Sequence, residues 1–319
     1  MGLAGVAAVL PPQTLDLEEL ARGGRITSPP ETLAGFGFER AYIATAEHDA
    51  GWLALRAAGE ALAEARLEPG EIDLLIWASA LPQNHIRNGA TAAAAGKADA
   101  LLSNFRYAAG WLQQEMGLTH AGVMAVTQQG CCTMFSALRT ARAMILAEPR
   151  VRNVLCVGVD VLPENGPREI MYNLISDAAC AVVVSRDCQT DRWLGYEQIS
   201  HGYYWDPLAK QGEIMAAYFP TSRAVIEQLL ESCELKASDI DVLVPTGVNR
   251  SSWEILLRLV GVSKDRMYQA GPSFGHTVSS DSFLLLKEMR RRKDVPLGSR
   301  VLLFTYGFGS TWCSMLLEH

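Results

Sequence analysis

The sequence predicts an α/β protein assembled from two similar halves, and three observations carry that expectation. Short apolar runs alternate with helix-patterned stretches, as they do when helices flank a sheet. A ten-residue pattern recurs, LEPGEIDLLI at 67–76 and LKASDIDVLV at 235–244, with four positions identical and three more conservatively exchanged. The chain of 319 residues is 49% hydrophobic, enough to fill a large core.

Taken in order, MGLAGVAAVLPP is mildly apolar, has no basic flank and meets a Pro pair at once, so it reads as a first strand and not as a signal peptide. AGWLALRAAGEALAEARL (50–67) has helical spacing, and EIDLLIWAS (71–79) is a short buried-strand run. ALPQNHIRNGATAAAAGKADALLSNFRYAAGWLQQEMG (80–117) breaks the rhythm and is expected to form short helices that cover a pocket or a partner subunit. VRNVLCVGVDVL (151–162) is another strand run. Both copies of the repeat follow a helical stretch, 50–66 and 221–234. A weaker echo pairs SDAACAVVV (176–184) with GSTWCSMLL (309–317). A polar, turn-like join near 186–192 divides the chain into halves 1–187 and 188–319.

Composition excludes several classes. A net charge of −7 leaves no electrostatic footprint for nucleic acid. No apolar run reaches the roughly 18 residues that span a bilayer, so no membrane role is expected. Seven scattered cysteines without a CxxC suit a reducing cytoplasm better than a disulfide scaffold. The six histidines form neither HxxxH nor HExxH, so neither a metal nor a cofactor is expected.

VTQQGCCTMFSALRTA (126–141) sets two cysteines where a helix begins. One reading is packing, because a free cysteine behaves as a small core hydrophobe. The other is a nucleophile, because a helix N-terminus favours the thiolate. The residues by themselves leave both open.

The order of several motifs resembles the thiolase-like condensing enzymes, closest to the ketoacyl-acyl-carrier-protein synthase III branch. FERAYIATAEHDAGWLALRAAGEALAEARLEPGEIDLLIWAS resembles its first helix and strand, and GCCTMFSALRTA its nucleophile motif. VLCVGVDVL with LISDAACAVVV resembles the paired strands that follow; VLVPTGVN, FGHT and YGFGSTW resemble the loops bearing the other catalytic groups. The resemblance implies a layered αβαβα fold of two halves, a homodimer, and an acyl group carried from a thioester donor onto cysteine. In the family motif an Ala-Leu pair follows the nucleophile by six and seven positions. Ala137 and Leu138 therefore assign the role to Cys131, with Cys132 the alternative. The backbone of Cys131 and of Gly309 in the Gly-rich turn would hold the oxyanion.

Two departures matter. The branch carries a histidine in the first loop and an asparagine in the second; here those places hold Thr246 and His276. A threonine hydroxyl offers a neutral hydrogen bond but no proton exchange near neutral pH, whereas His276 can accept a proton from a thiol, alcohol or amine. The inventory suits acyl transfer from Cys131 to an O, N or C nucleophile without decarboxylation, in a specialised polyketide or fatty-acid-like pathway. The alternatives are a decarboxylating synthase using a malonyl thioester and a catalytically silent partner subunit. The branch also clamps coenzyme A with a Trp and an Arg; SPPETLAGFG (28–37) has no Trp, and Glu164 stands at the Arg place. An acyl carrier protein is therefore expected as donor ahead of acyl-coenzyme A. Arg250 and Arg258, eight apart on NRSSWEILLRLVG, are the candidate docking face for that acidic partner. The run Arg290 to Lys293 reads instead as a solvated helix end.

Overall fold

The computed structural model describes residues 1–81, 105–269, 274–308 and 310–319. The chain begins with β1 (Gly2–Val9), β2 (Gln13–Asp16), α1 (Leu17–Arg22), α2 (Pro30–Gly35), β3 (Arg40–Ile43), α3 (Ala50–Ala65) and β4 (Leu74–Ala78). It continues through α4 (Ala108–Glu115), β5 (Gly122–Val126), α5 (Thr133–Ala147), β6 (Asn153–Asp160), β7 (Glu169–Ile170), β8 (Asn173–Leu174), β9 (Ala178–Ser185) and β10 (Arg192–Ser200). It closes with α6 (Gln211–Ser232), β11 (Val242–Val244), α7 (Arg250–Val260), α8 (Asp281–Arg292), β12 (Arg300–Gly307) and β13 (Thr311–Glu318).

Nine strands join in the order β11-β12-β13-β10-β1-β9-β6-β4-β5. β1 and β10 meet at a single register point, Gly2 opposite Arg192, so the array is two half-sheets joined at one corner. Outward from that corner the half-sheets read β1-β9-β6-β4-β5 and β10-β13-β12-β11, the second continued by a parallel bridge from Leu243 to Met267. The two copies of the sequence repeat occupy equivalent places: each is a 3-10 turn, Pro69–Glu71 or Ala237–Asp239, that leads into β4 or β11. The weaker echo falls on β9 and β13, which neighbour β1 and β10 respectively.

The layers follow from which faces are apolar. β6 and β9 are buried on both faces and read as continuous apolar runs, as strands between two helix layers must. Val154, Cys156, Cys180 and Val182 face a central core with α5 and α8, while Leu155, Val157, Ala179 and Ala181 face an outer core with α3 and α4. A second outer core packs α6 and α7 on Leu302, Phe304, Trp312 and Leu316. The architecture is therefore αβαβα, with α5 and α8 in the middle layer.

Local chemistry sets these helices. Asp49 caps α3 by accepting from the Trp52 amide at 2.9 Å. Leu53, Ala54, Ala57, Ala58, Ala61 and Leu62 make its buried stripe. Its close seat on β1 depends on Gly5, where a Cβ would fall 2.0 Å from the Ala61 carbonyl oxygen. Of the long stretch 80–117, residues 82–104 lie outside the described residues; its end forms α4, packed on the first outer core. Among the described residues no helix is long and apolar enough to cross a membrane, and no cluster of His, Cys, Asp and Glu could hold a metal ion.

The Arg290–Lys293 run corrects the expectation of a solvated helix end. Arg290 packs its guanidinium under the sheet corner, donating from Nε to Asp191 at 2.6 Å and from Nη2 to the Leu3 carbonyl at 2.6 Å. Asp191 is fully buried and also receives His319 Nδ1 at 2.6 Å. Arg291 and Arg292 remain outside and pair with Glu288.

Candidate active site

The two adjacent cysteines face opposite ways. They form a 3-10 turn, Gly130–Cys132, that feeds directly into α5, so both stand at a helix N-terminus. Gly130 has φ +53°, and a Cβ there would fall 2.5 Å from the Phe308 amide nitrogen. A Cβ on Gly307 would fall 2.8 Å from the Cys131 amide nitrogen. Glycine at both positions lets the end of β12 lie against the cysteine turn backbone to backbone. In that position Cys132 turns inward: it is fully buried, and its thiol donates to the Thr311 carbonyl at 3.1 Å. Burial, then the neighbouring Cys313 thiol, pushes the Cys132 thiol well above its ordinary value, which keeps it protonated and inert.

Cys131 turns the other way, to His276, with Sγ and Nε2 3.2 Å apart. The imidazole in turn donates from Nδ1 to Asp281 Oδ2 at 2.5 Å. Asp281 is the first residue of α8 and nearly fully buried. Its Oδ1 accepts from the Thr277 amide and hydroxyl at 2.6 and 2.8 Å, and Oδ2 also accepts from the Gly247 amide at 2.7 Å. Accepting from four donors, the carboxylate is held in place and fixes the ring with Nδ1 toward itself and Nε2 toward the sulfur. Burial works against an imidazolium, but the Asp281 carboxylate and then Cys131 outweigh it and hold His276 well above its ordinary value.

The histidine main chain is equally fixed. Its amide donates to Leu174 O at 2.7 Å, and its carbonyl accepts from the Ser176 amide at 2.9 Å. Gly275 before it has φ +73°, and Val278 after it has φ +58°, which is unusual for a β-branched residue. Behind this loop lies a fully buried ion pair, Arg168 Nη1 to Asp177 Oδ1 at 2.5 Å and Nη2 to Oδ2 at 3.0 Å. Asp177 also accepts from the amides of Ala44 and Leu162. A second buried carboxylate, Asp160, ties the Ser279 amide to those of Ala80 and Leu81. Burial pushes Asp160 up, against the hydrogen bonds it accepts from Ser279.

The other sequence-derived residues are placed as follows. Thr246 is buried in the loop before α7; its carbonyl accepts from Trp253 Nε1 at 3.1 Å, and the next amide, of Gly247, reaches Asp281. Gly309 lies outside the described residues; the main chain seen against the cysteine turn is that of Gly307 and Phe308. Arg250 and Arg258 are exposed at the two ends of α7, with Glu254 between them bound to Lys264. At the loop where Glu164 stands, Arg25 donates to the Glu164 and Gly166 carbonyls. Asp281 is the functional residue that sequence reasoning missed; the available signal was an acid five residues beyond His276.

Two family models match the chain: 3-oxoacyl-[acyl-carrier-protein (ACP)] synthase III over residues 127–202 and its C-terminal counterpart over 230–319, together more than half of the sequence. A beta-ketoacyl-[acyl-carrier-protein] synthase III of Neisseria meningitidis is 25% identical, with 99% of this chain and 98% of that protein aligned. The crystal structure of 3-oxoacyl-[acyl-carrier-protein] synthase III from Aquifex aeolicus superimposes with a TM-score of 0.83 at 22% identity, over 100% of this chain and 99% of that one. ChlB3, described as an acyltransferase, superimposes with a TM-score of 0.82 at 19% identity, over 99% and 97% of the two chains. The chain thus belongs to the ketoacyl-acyl-carrier-protein synthase III family, the synthase III branch of the thiolase-like enzymes.

Proposed function

We propose that this enzyme transfers an acyl group from a thioester to Cys131 and then to an oxygen, nitrogen or carbon nucleophile, without decarboxylation. The observation that carries this reading is the Cys131–His276–Asp281 chain, 3.2 and 2.5 Å link by link. It is a proton-transfer relay aimed at sulfur, whereas the loop in which the family keeps its histidine carries Thr246. Enolate formation from a malonyl thioester calls for two polar groups on one oxygen; transfer calls for one base that works twice.

In the first half-reaction the Cys131 thiolate attacks the thioester carbonyl carbon. The resulting oxyanion is held by the Cys131 amide and a main-chain amide at the Gly307–Phe308 turn. Collapse breaks the bond to the donor sulfur, which leaves with the proton from His276. In the second, neutral His276 takes the proton of the acceptor as it attacks the acyl-cysteine, and the Cys131 thiolate departs beside the new imidazolium. Asp281 touches neither substrate and is a positioning residue. An acyl carrier protein is the proposed donor ahead of an acyl-coenzyme A, docking along the length of α7 from Arg250 to Arg258. β5 forms the sheet edge, with Val123 exposed, and a second copy pairing there would give a homodimer. The seven cysteines, all free, support a cytoplasmic setting.

The test is intact-protein mass after mixing with a panel of acyl-carrier-protein and acyl-coenzyme A thioesters. An acyl mass gain absent from Cys131→Ser, discharged by an added nucleophile in the wild type and not in His276→Ala, supports the reading. Carbon dioxide release with a malonyl thioester would replace it by the decarboxylating one. No gain with any thioester would leave a silent partner subunit.

A further inference from the structure

The β12–β13 hairpin carries three buried polar atoms, Tyr306 Oη, Ser310 Oγ and Trp312 Nε1, with no hydrogen-bond partner among the described residues. Tyr306 and Trp312 are directly opposed in the ladder, with ring centroids 4.6 Å apart, so the two polar groups share one face of the sheet. Tyr306 is also held edge-on by Tyr218 at 5.5 Å and Phe308 at 5.8 Å. The ring is thus packed against three other rings, and its hydroxyl is buried. Tyr306 immediately precedes Gly307, whose backbone lies against the Cys131 amide. Burial, then the Cys131 and Cys132 thiols, pushes the phenol up, so it remains a donor at any working pH. A buried hydroxyl without a partner is costly, and phenylalanine would fill the same space without that cost.

We propose that the Tyr306 hydroxyl is a specificity group that donates a hydrogen bond to an oxygen on the acyl chain held at Cys131, so that acyl groups bearing a hydroxyl or keto oxygen are taken ahead of plain hydrocarbon ones. This rests on the acyl-transfer reading above and names the substrate class of that site. A site built around a donor favours the ligand that satisfies it and disfavours the analogue that leaves it unpaired.

The test is the rate of Cys131 acylation, without any acceptor, by S-butyryl pantetheine and by its 2-, 3- and 4-hydroxy and 3-oxo analogues, in wild type and Tyr306→Phe. In the wild type the best oxygen-bearing donor should acylate about ten-fold faster than butyryl, the size of one neutral hydrogen bond. Tyr306→Phe should bring that ratio to about one, by slowing the oxygen-bearing donor, with a Tm equal to or above the wild type because no protein hydrogen bond is lost. A wild-type ratio near one for every analogue, a ratio that survives in Tyr306→Phe, or equal slowing of all donors with a lowered Tm would each overturn the proposal. Acylation by none of the donors would overturn the acyl-transfer reading itself, and this inference with it.

Discussion

The two helices of the middle layer, α5 and α8, occupy the same place in their half-sheets: each enters from the outer edge and leads into the next central strand. Their first turns touch, Phe135 of α5 meeting Phe283 of α8 edge to face at 5.8 Å. Yet one N-terminus presents a thiol and the other a carboxylate that holds an imidazole. The difference teaches how a repeated scaffold builds a site. The repeat brings two helix starts together, and unlike side chains at equivalent ends then divide the chemistry into nucleophile and proton relay.

That division can be broken from either side. Removing the α5 contribution should be absolute: Cys131→Ser shows no acyl mass gain. His276→Ala should slow transfer by about 10²–10⁴-fold, the usual worth of a general base, measured as discharge of preformed acyl-enzyme. Asp281→Asn keeps the shape of the α8 start but loses the charge that orients the ring, and turnover should fall by roughly 10²-fold or more. Its pH–rate profile should also shift to lower pH, because the main influence raising His276 is gone; a structural role alone would leave that profile in place.

Stability offers a subtler comparison. A histidine held above its ordinary value binds its proton more tightly in the folded state. Its stabilising contribution is full below the unfolded imidazole value of about 6.5 and falls as pH rises toward the raised folded value. Tm should therefore drop across that window in the wild type and more shallowly in Asp281→Asn. The smallest catalytic effect should come from Cys132→Ala, with acylation retained and stability lowered by about 1–2 kcal/mol for the lost buried thiol, read from denaturant midpoints.

Much of this was legible in the residues. The repeat at 67–76 and 235–244 and the apolar runs of β4, β6 and β9 announce two half-sheets because period and burial are written locally. The opposite fates of Cys131 and Cys132 are legible only through motif spacing. What hides them otherwise is that a helix start looks alike for a nucleophile and a core thiol. Asp281 was missed for a similar reason: an acid opening a helix reads as a dipole partner, and its bond to His276 depends on a loop that doubles back through Val278. Arg290 was misread because its partner Asp191 is 99 residues away in sequence, beneath the sheet corner.

The fastening of His276 has a kinetic consequence. With its main chain bridged to Ile175 and its ring held by Asp281, the imidazole cannot follow a departing donor to one side and an arriving acceptor to the other. Both must come to the same proton post, one after the other. Double-reciprocal plots should therefore be parallel, as in a ping-pong sequence, and each substrate in excess should inhibit by occupying the place the other needs.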